Sequence, residues 1–167
     1  TSLLSSIGIG VTNLIFTFVG ISLIGKLGRR SLMYYGSFGY IISLSLVACA
    51  FFFEWGGLLI PVFLFLFIAA HAIGQGTIIW VYISEIFPNH LRNSGQSFGV
   101  SVHWVLAAII PSFVPLLFAS IGPGVVFSIF AIFMVFQLIF VHYMMPETRG
   151  ISLEELSKKL ISSKKNV

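Results

Sequence analysis

Residues 25–30 read Gly25-Lys26-Leu27-Gly28-Arg29-Arg30, a basic hexapeptide between two runs of hydrocarbon. Upstream, residues 1–24 carry no charge. Downstream no Lys or Arg recurs before Arg92, and none between it and Arg149; Lys158, Lys159, Lys164 and Lys165 complete the nine. A membrane crossing takes about 20 apolar residues, so each basic-free gap accommodates two crossings and a turn. Basic residues collect on the cytoplasmic face of membrane proteins. The charge pattern therefore predicts spans in pairs that return each time to a basic inner face, with residues 26–30, 86–93 and the C-terminus cytoplasmic in a plasma-membrane protein.

Composition points the same way. Hydrophobic residues make up 57% of the 167 and charged residues 8%, against about 25% charged in soluble domains; mean hydropathy is +1.04. The net charge of +4 flanks apolar runs, so it reads as membrane topology and not as a nucleic-acid surface. The single Cys49 excludes an intrachain disulfide. Residues 1–25 lack the basic n-region of a signal peptide, so none is expected there.

The sequence thus predicts an all-α, polytopic transmembrane bundle of five spans near 1–24, 31–53, 57–84, 94–119 and 125–145. A helix is the natural solution in lipid because it satisfies its own backbone groups. Glu54-Trp55-Gly56-Gly57 and Ile121-Gly122-Pro123-Gly124 form the two outer turns, and Pro88 ends the third span. Residues 146–167 form a cytoplasmic motif, a short amphipathic helix opened by the capping box Ser152-Leu153-Glu154-Glu155, and a basic tail. Five spans with an inner loop at residue 26 put Thr1 outside, which makes the chain read as the C-terminal fragment of a larger transporter. The partners expected are the lipid bilayer and the missing N-terminal helices.

Three inner-face motifs resemble a known family. Residues 25–30 are similar to the signature loop of the major facilitator superfamily. Ser84-Glu85-Ile86-Phe87-Pro88 with Arg92 resembles the loop after the tenth helix of its sugar porters, and Pro146-Glu147-Thr148-Arg149-Gly150 resembles the motif after their last helix. Asn13 with Thr17, Trp80 and Trp104 stand at sugar-porter spacing. The resemblance implies helices eight to twelve of twelve: the C-terminal half of the fold, incomplete by one span. Two positions depart from the family pattern. Gly25 stands where the loop usually has an acid, and Thr77 where the tenth helix has a proline; Gly74 and Gly76 remain as flexible points there.

The resemblance also implies a function: alternating-access transport of a monosaccharide-like sugar. A sugar site needs paired hydrogen-bonding groups and an aromatic face, and buried polar groups in a membrane are functional candidates. Asn13 is a candidate hydrogen-bond partner, or else a helix–helix tie. Trp80 would stack on the sugar, with Gly76 one turn earlier letting it approach the backbone. His103 stands where sugar porters carry an amide, and Trp104 closes the cavity or packs. His71 lies where the family has an aromatic contact; on an unbroken helix it points away from Trp80, and a break at the glycines brings both to one cavity. Arg29, Arg30, Glu85, Arg92 and Glu147 form an inner charge set, read as a gate that pairs in one state, or as plain positive-inside topology except for the acid Glu85.

The alternatives are a transporter-fold sugar sensor and a carrier for another small organic solute. An enzyme is not expected: no paired carboxylates, nucleophile–base pair or metal-ligand cluster lies in the spans, and no cofactor or metal is implied. Whether a proton is coupled depends on helices outside this sequence.

Overall fold

The computed structural model describes residues 2–151, and within them only helices: α1 (Ser2–Leu27), α2 (Arg29–Phe52), α3 (Leu59–Ile73), α4 (Gln75–Ile86), α5 (Arg92–Ile121) and α6 (Pro123–Tyr143). Together α3 and α4 make one membrane-length apolar stretch, Leu59–Ile86, so six helices form five spans. The amphipathic helix expected from Ser152 and the tail lysines lies outside the described residues.

The span ends follow local chemistry. Gly28 has φ 89° between α1 and α2, and a Cβ there would come within 2.5 Å of the Glu147 carboxylate. Only glycine meets both conditions. Phe87 is extended, with φ −93° and ψ 134°, as the residue before Pro88 must be. At the opposite end Gly122 (φ 82°) turns the chain and Pro123 opens α6, its missing N–H costing nothing in a first turn.

Packing is organised around α2, which lies against α3 and α6, while α1 lies against α3. The centre of the bundle is its least apolar span. In lipid no hydrophobic force drives helices together, so close contact of small residues decides the seam. Gly36, Ser37, Ser43, Ala48 and Ala50 of α2 are all buried. A Cβ on Gly39 would lie 2.5 Å from that of Ala70, and one on Gly74 would lie 2.6 Å from the Gly36 Cα. Larger side chains fill two clusters. Leu32, Met33, Ile78, Tyr82, Val141 and Met145 pack at the basic end, and Tyr40, Leu44 and Ala131 lie further in. By contrast, α5 has no buried residue and touches only α4 and α6.

The third span is broken at the glycines, the one of the two alternatives left open by the sequence that brings His71 and Trp80 together. At Gly74 the backbone takes φ −95° and ψ −105°, outside the helical region, and a Cβ there would run into the Gly36 backbone. The Thr77 and Ile78 N–H groups both turn to the Gly74 carbonyl, at 3.3 and 3.0 Å. The Ala72 carbonyl, left without its helical partner, accepts from Thr77 Oγ1 at 2.7 Å.

Candidate functional site

A cavity of about 680 Å³ opens between α2, the α3–α4 break, α5 and α6. Of the six residues singled out for substrate, His71, Gly76, Trp80 and His103 line it; Asn13 and Trp104 do not. Trp80 and His103 meet edge to face, ring centroids 4.9 Å apart, across the α4–α5 seam. Trp104 stacks edge-on to His103 at 5.4 Å but faces outward, 62% exposed. Asn13 lies on an exposed face of α1, its Oδ1 accepting from Thr17 Oγ1 at 3.1 Å.

His71 and Trp80 are nine residues apart, half a turn out of phase on a continuous helix at about 100° per residue. Both line one cavity because the chain breaks between them. His71 Nδ1 is hydrogen-bonded to the Tyr40 hydroxyl, and its Nε2 edge lies over Gly76, where an added Cβ would come within 2.8 Å. The wall therefore presents the Trp80 and Tyr40 rings among phenylalanines, two imidazoles and a bare patch of backbone, a surface suited to a flat polyol with apolar C–H faces.

Sequence reasoning missed two polar members of this wall. Tyr40 and Gln137 face the cavity from α2 and α6. Gln137 is the one amide in the last span, a signal that could have flagged it. Tyr40 carried none, being one tyrosine among aromatic neighbours. Gln75, at the break itself, is buried in the wall with Nε2 donating to Ser37 Oγ at 3.1 Å.

At the basic end the charged residues form a connected set. Arg29 grips Glu85 with two parallel bonds, Nη2 to Oε1 at 2.6 Å and Nε to Oε2 at 3.0 Å. Thr148 Oγ1 donates to the same carboxylate at 2.5 Å. Glu147 accepts from the backbone N–H groups of Arg29 and Arg30 at 2.9 and 3.1 Å, and from those of Thr148 and Arg149 at 3.0 Å each. It thus places a negative charge on the N-terminus of α2, where unpaired N–H groups and the helix dipole favour one. The arginines attend to the opposite poles. Arg30 donates to the Val141 and His142 carbonyls ending α6, and Arg149 to the Lys26 carbonyl ending α1. Arg92 stands apart, with Nη2 on Asn89 Oδ1 at 2.5 Å and a buried Nε without a partner among the described residues.

Five apolar spans around a mid-membrane break and a mixed aromatic and polar cavity define a polytopic membrane-carrier bundle. Comparison with known proteins agrees. The model of the sugar (and other) transporter family matches residues 1–160. The arabinose-proton symporter of Bacillus subtilis is 38% identical over 151 residues, 90% of this chain and 32% of the relative. The glucose facilitated diffusion protein of Zymomonas mobilis is 31% identical, over 98% of this chain and 36% of that one. Among solved structures, the inward-open xylose transporter XylE from E. coli superposes with a TM-score of 0.88 at 30% identity, covering 95% of this chain and 36% of that chain. XylE bound to 6-bromo-6-deoxy-D-glucose gives 0.85 at 30% identity, covering 94% and 34%. The chain belongs to the sugar transporter family, within the major facilitator superfamily, whose members are carriers and not enzymes. It spans about a third of the length of the curated relatives it matches.

Proposed function

We propose that this chain forms one wall of a carrier that moves a monosaccharide-like sugar across a membrane by alternating access. The observation that carries the reading is the joint presence of Trp80, His103, His71 and Gly76 on one cavity at a helix break. Trp80 stacks on the sugar ring, His103 and His71 exchange hydrogen bonds with its hydroxyls, and Gly76 admits it to the backbone. Asn13 and Trp104 serve the same path from faces that other helices cover. The relatives named above include a proton symporter and a facilitated-diffusion protein, so the family resemblance is compatible with either mode of coupling.

The basic end is the cytoplasmic one, by the excess of Lys and Arg there, in a multi-pass protein of the plasma membrane. Arg29, Arg30, Glu85 and Glu147 act as the inner gate, with Arg92 at its margin: the Arg29–Glu85 pair is strong enough to bias a two-state equilibrium. The direct test is Trp80→Leu in the full-length protein. It keeps apolar bulk while removing the stacking face and the N–H donor, and sugar affinity should fall about tenfold or more. Unchanged affinity in a well-folded variant would make Trp80 a packing residue and remove the main support of the reading.

A further inference from the structure

The break at Gly74 turns His71 and Trp80 onto one cavity, yet no proline enforces it. Pro61 precedes it by more than three turns, and Pro88 lies beyond the end of α4. Two side-chain hydrogen bonds stand at the break instead. Thr77 Oγ1 reaches back across it to the Ala72 carbonyl at 2.7 Å. Gln75, the first residue of α4, donates from Nε2 to Ser37 Oγ on α2 at 3.1 Å, and Ser37 is fully buried. The Gln75 Oε1 atom is buried with no partner among the described residues. An unpaired buried carbonyl is unfavourable, so the bond to Ser37 holds this amide in an orientation that its own Oε1 opposes. Around the break the neighbouring helices are glycine: Gly36 of α2 lies against Gly74, and a Cβ on Gly20 of α1 would come 3.0 Å from the freed Ala72 carbonyl. Two helices thus leave room for the broken backbone, and two side chains tie it.

We propose that Gln75 and Thr77 are positioning residues of the sugar site, holding the third span in its broken form and so setting His71 against Trp80. The inference rests on the sugar-carrier reading for its functional consequence only. Both ties are reversible, unlike a proline ring, so the geometry of the cavity follows the state of two hydrogen bonds.

The test uses the full-length protein with its cysteines, Cys49 among them, replaced by Ser and spin labels at positions 58 and 90, exposed sites just beyond the two ends of the span. Two readouts are taken for each variant: the inter-label distance, and binding and transport of radiolabelled glucose and xylose. Gln75→Leu with Thr77→Val should lengthen the distance, because a straightened span is longer, and raise KM about tenfold or more. Thr77→Pro placed on Gln75→Leu should restore both. Proline at the third residue of α4 gives up only the long 3.3 Å bond from the Thr77 N–H to the Gly74 carbonyl, and its ring excludes the Ile73 carbonyl that a continuous helix would bring to it. Ser37→Ala removes the Gln75 anchor alone and should give a smaller change of the same sign; it carries the test if the double variant fails to fold. An unchanged distance in the double variant would overturn the proposal, as would a lengthened distance with unaltered KM. Failure of the unsubstituted protein to bind either sugar would sink the sugar reading, while the distances would still judge the hinge.

Discussion

Among the described residues Glu85 has two partners, Arg29 and Thr148, and neither is Arg92. Arg29 and Thr148 take both of its oxygens, so a double-mutant cycle should couple Glu85→Gln to Arg29→Gln and leave Arg92→Gln additive. The pair is about one-fifth exposed on each side, and a charge-assisted bond of this kind is worth roughly 1.5–3 kcal/mol. Read as outward-side accessibility of the cavity, a coupling of that size shifts a two-state ratio by more than tenfold. Additivity of Glu85 with Arg29 would reduce the charge set to topology. Gly28→Ala offers a second test. The added methyl meets a positive φ and the Glu147 carboxylate together, so a stability loss of about 1–2 kcal/mol from the backbone alone is expected in thermal melting. Displacing Glu147 from the α2 N-terminus adds to it.

At the scale of the helix, α2 shows how a membrane bundle chooses its centre. Gly39→Ala should destabilise, since the new Cβ lies 2.5 Å from that of Ala70, a rigid methyl. Gly10→Ala in α1 meets nothing within 4 Å, and should stabilise by up to about 1 kcal/mol from helix propensity. Opposite signs in paired melting curves are the expected outcome; equal signs would mean that the α2–α3 seam yields freely. The spans themselves were legible because length and apolarity are local properties. The break was half legible. Gly74 and Gly76 marked the place, but Thr77 gives no local sign of bridging it, because its acceptor is a carbonyl freed only once the helix is interrupted. The same limit explains Arg30 and Glu147. Their charges are plain in the sequence, yet their partners are backbone groups more than 100 residues away, and backbone groups leave no trace in composition.

For the whole molecule, the turn at Gly28 and the turn at Gly122 sit at opposite ends of the bundle. Single cysteines at the exposed positions 26 and 121 of the full-length protein, beside those two turns, should react with an impermeant thiol reagent from opposite sides of sealed vesicles, position 26 from the cytoplasmic side. Labelling of both from one side would reverse the span count. The cavity was only partly legible at this scale, because which polar residues share a wall depends on how five spans pack. His71 and Trp80 are brought together, while Asn13 is left on another face.

The segment from Pro146 to Gly150 also imposes an order on how the protein is made. Its Glu147 and Arg149 close the ends of α2 and α1, which leave the ribosome more than 100 residues earlier. The spans of α1 and α2 are therefore in the membrane, with those ends still open, throughout synthesis of the three described spans that follow. A transcript cut short after Tyr143 would yield every described helix and none of these closures. Its product should insert as efficiently as the whole chain, yet be cleared by membrane quality control far faster, as pulse-chase labelling would reveal.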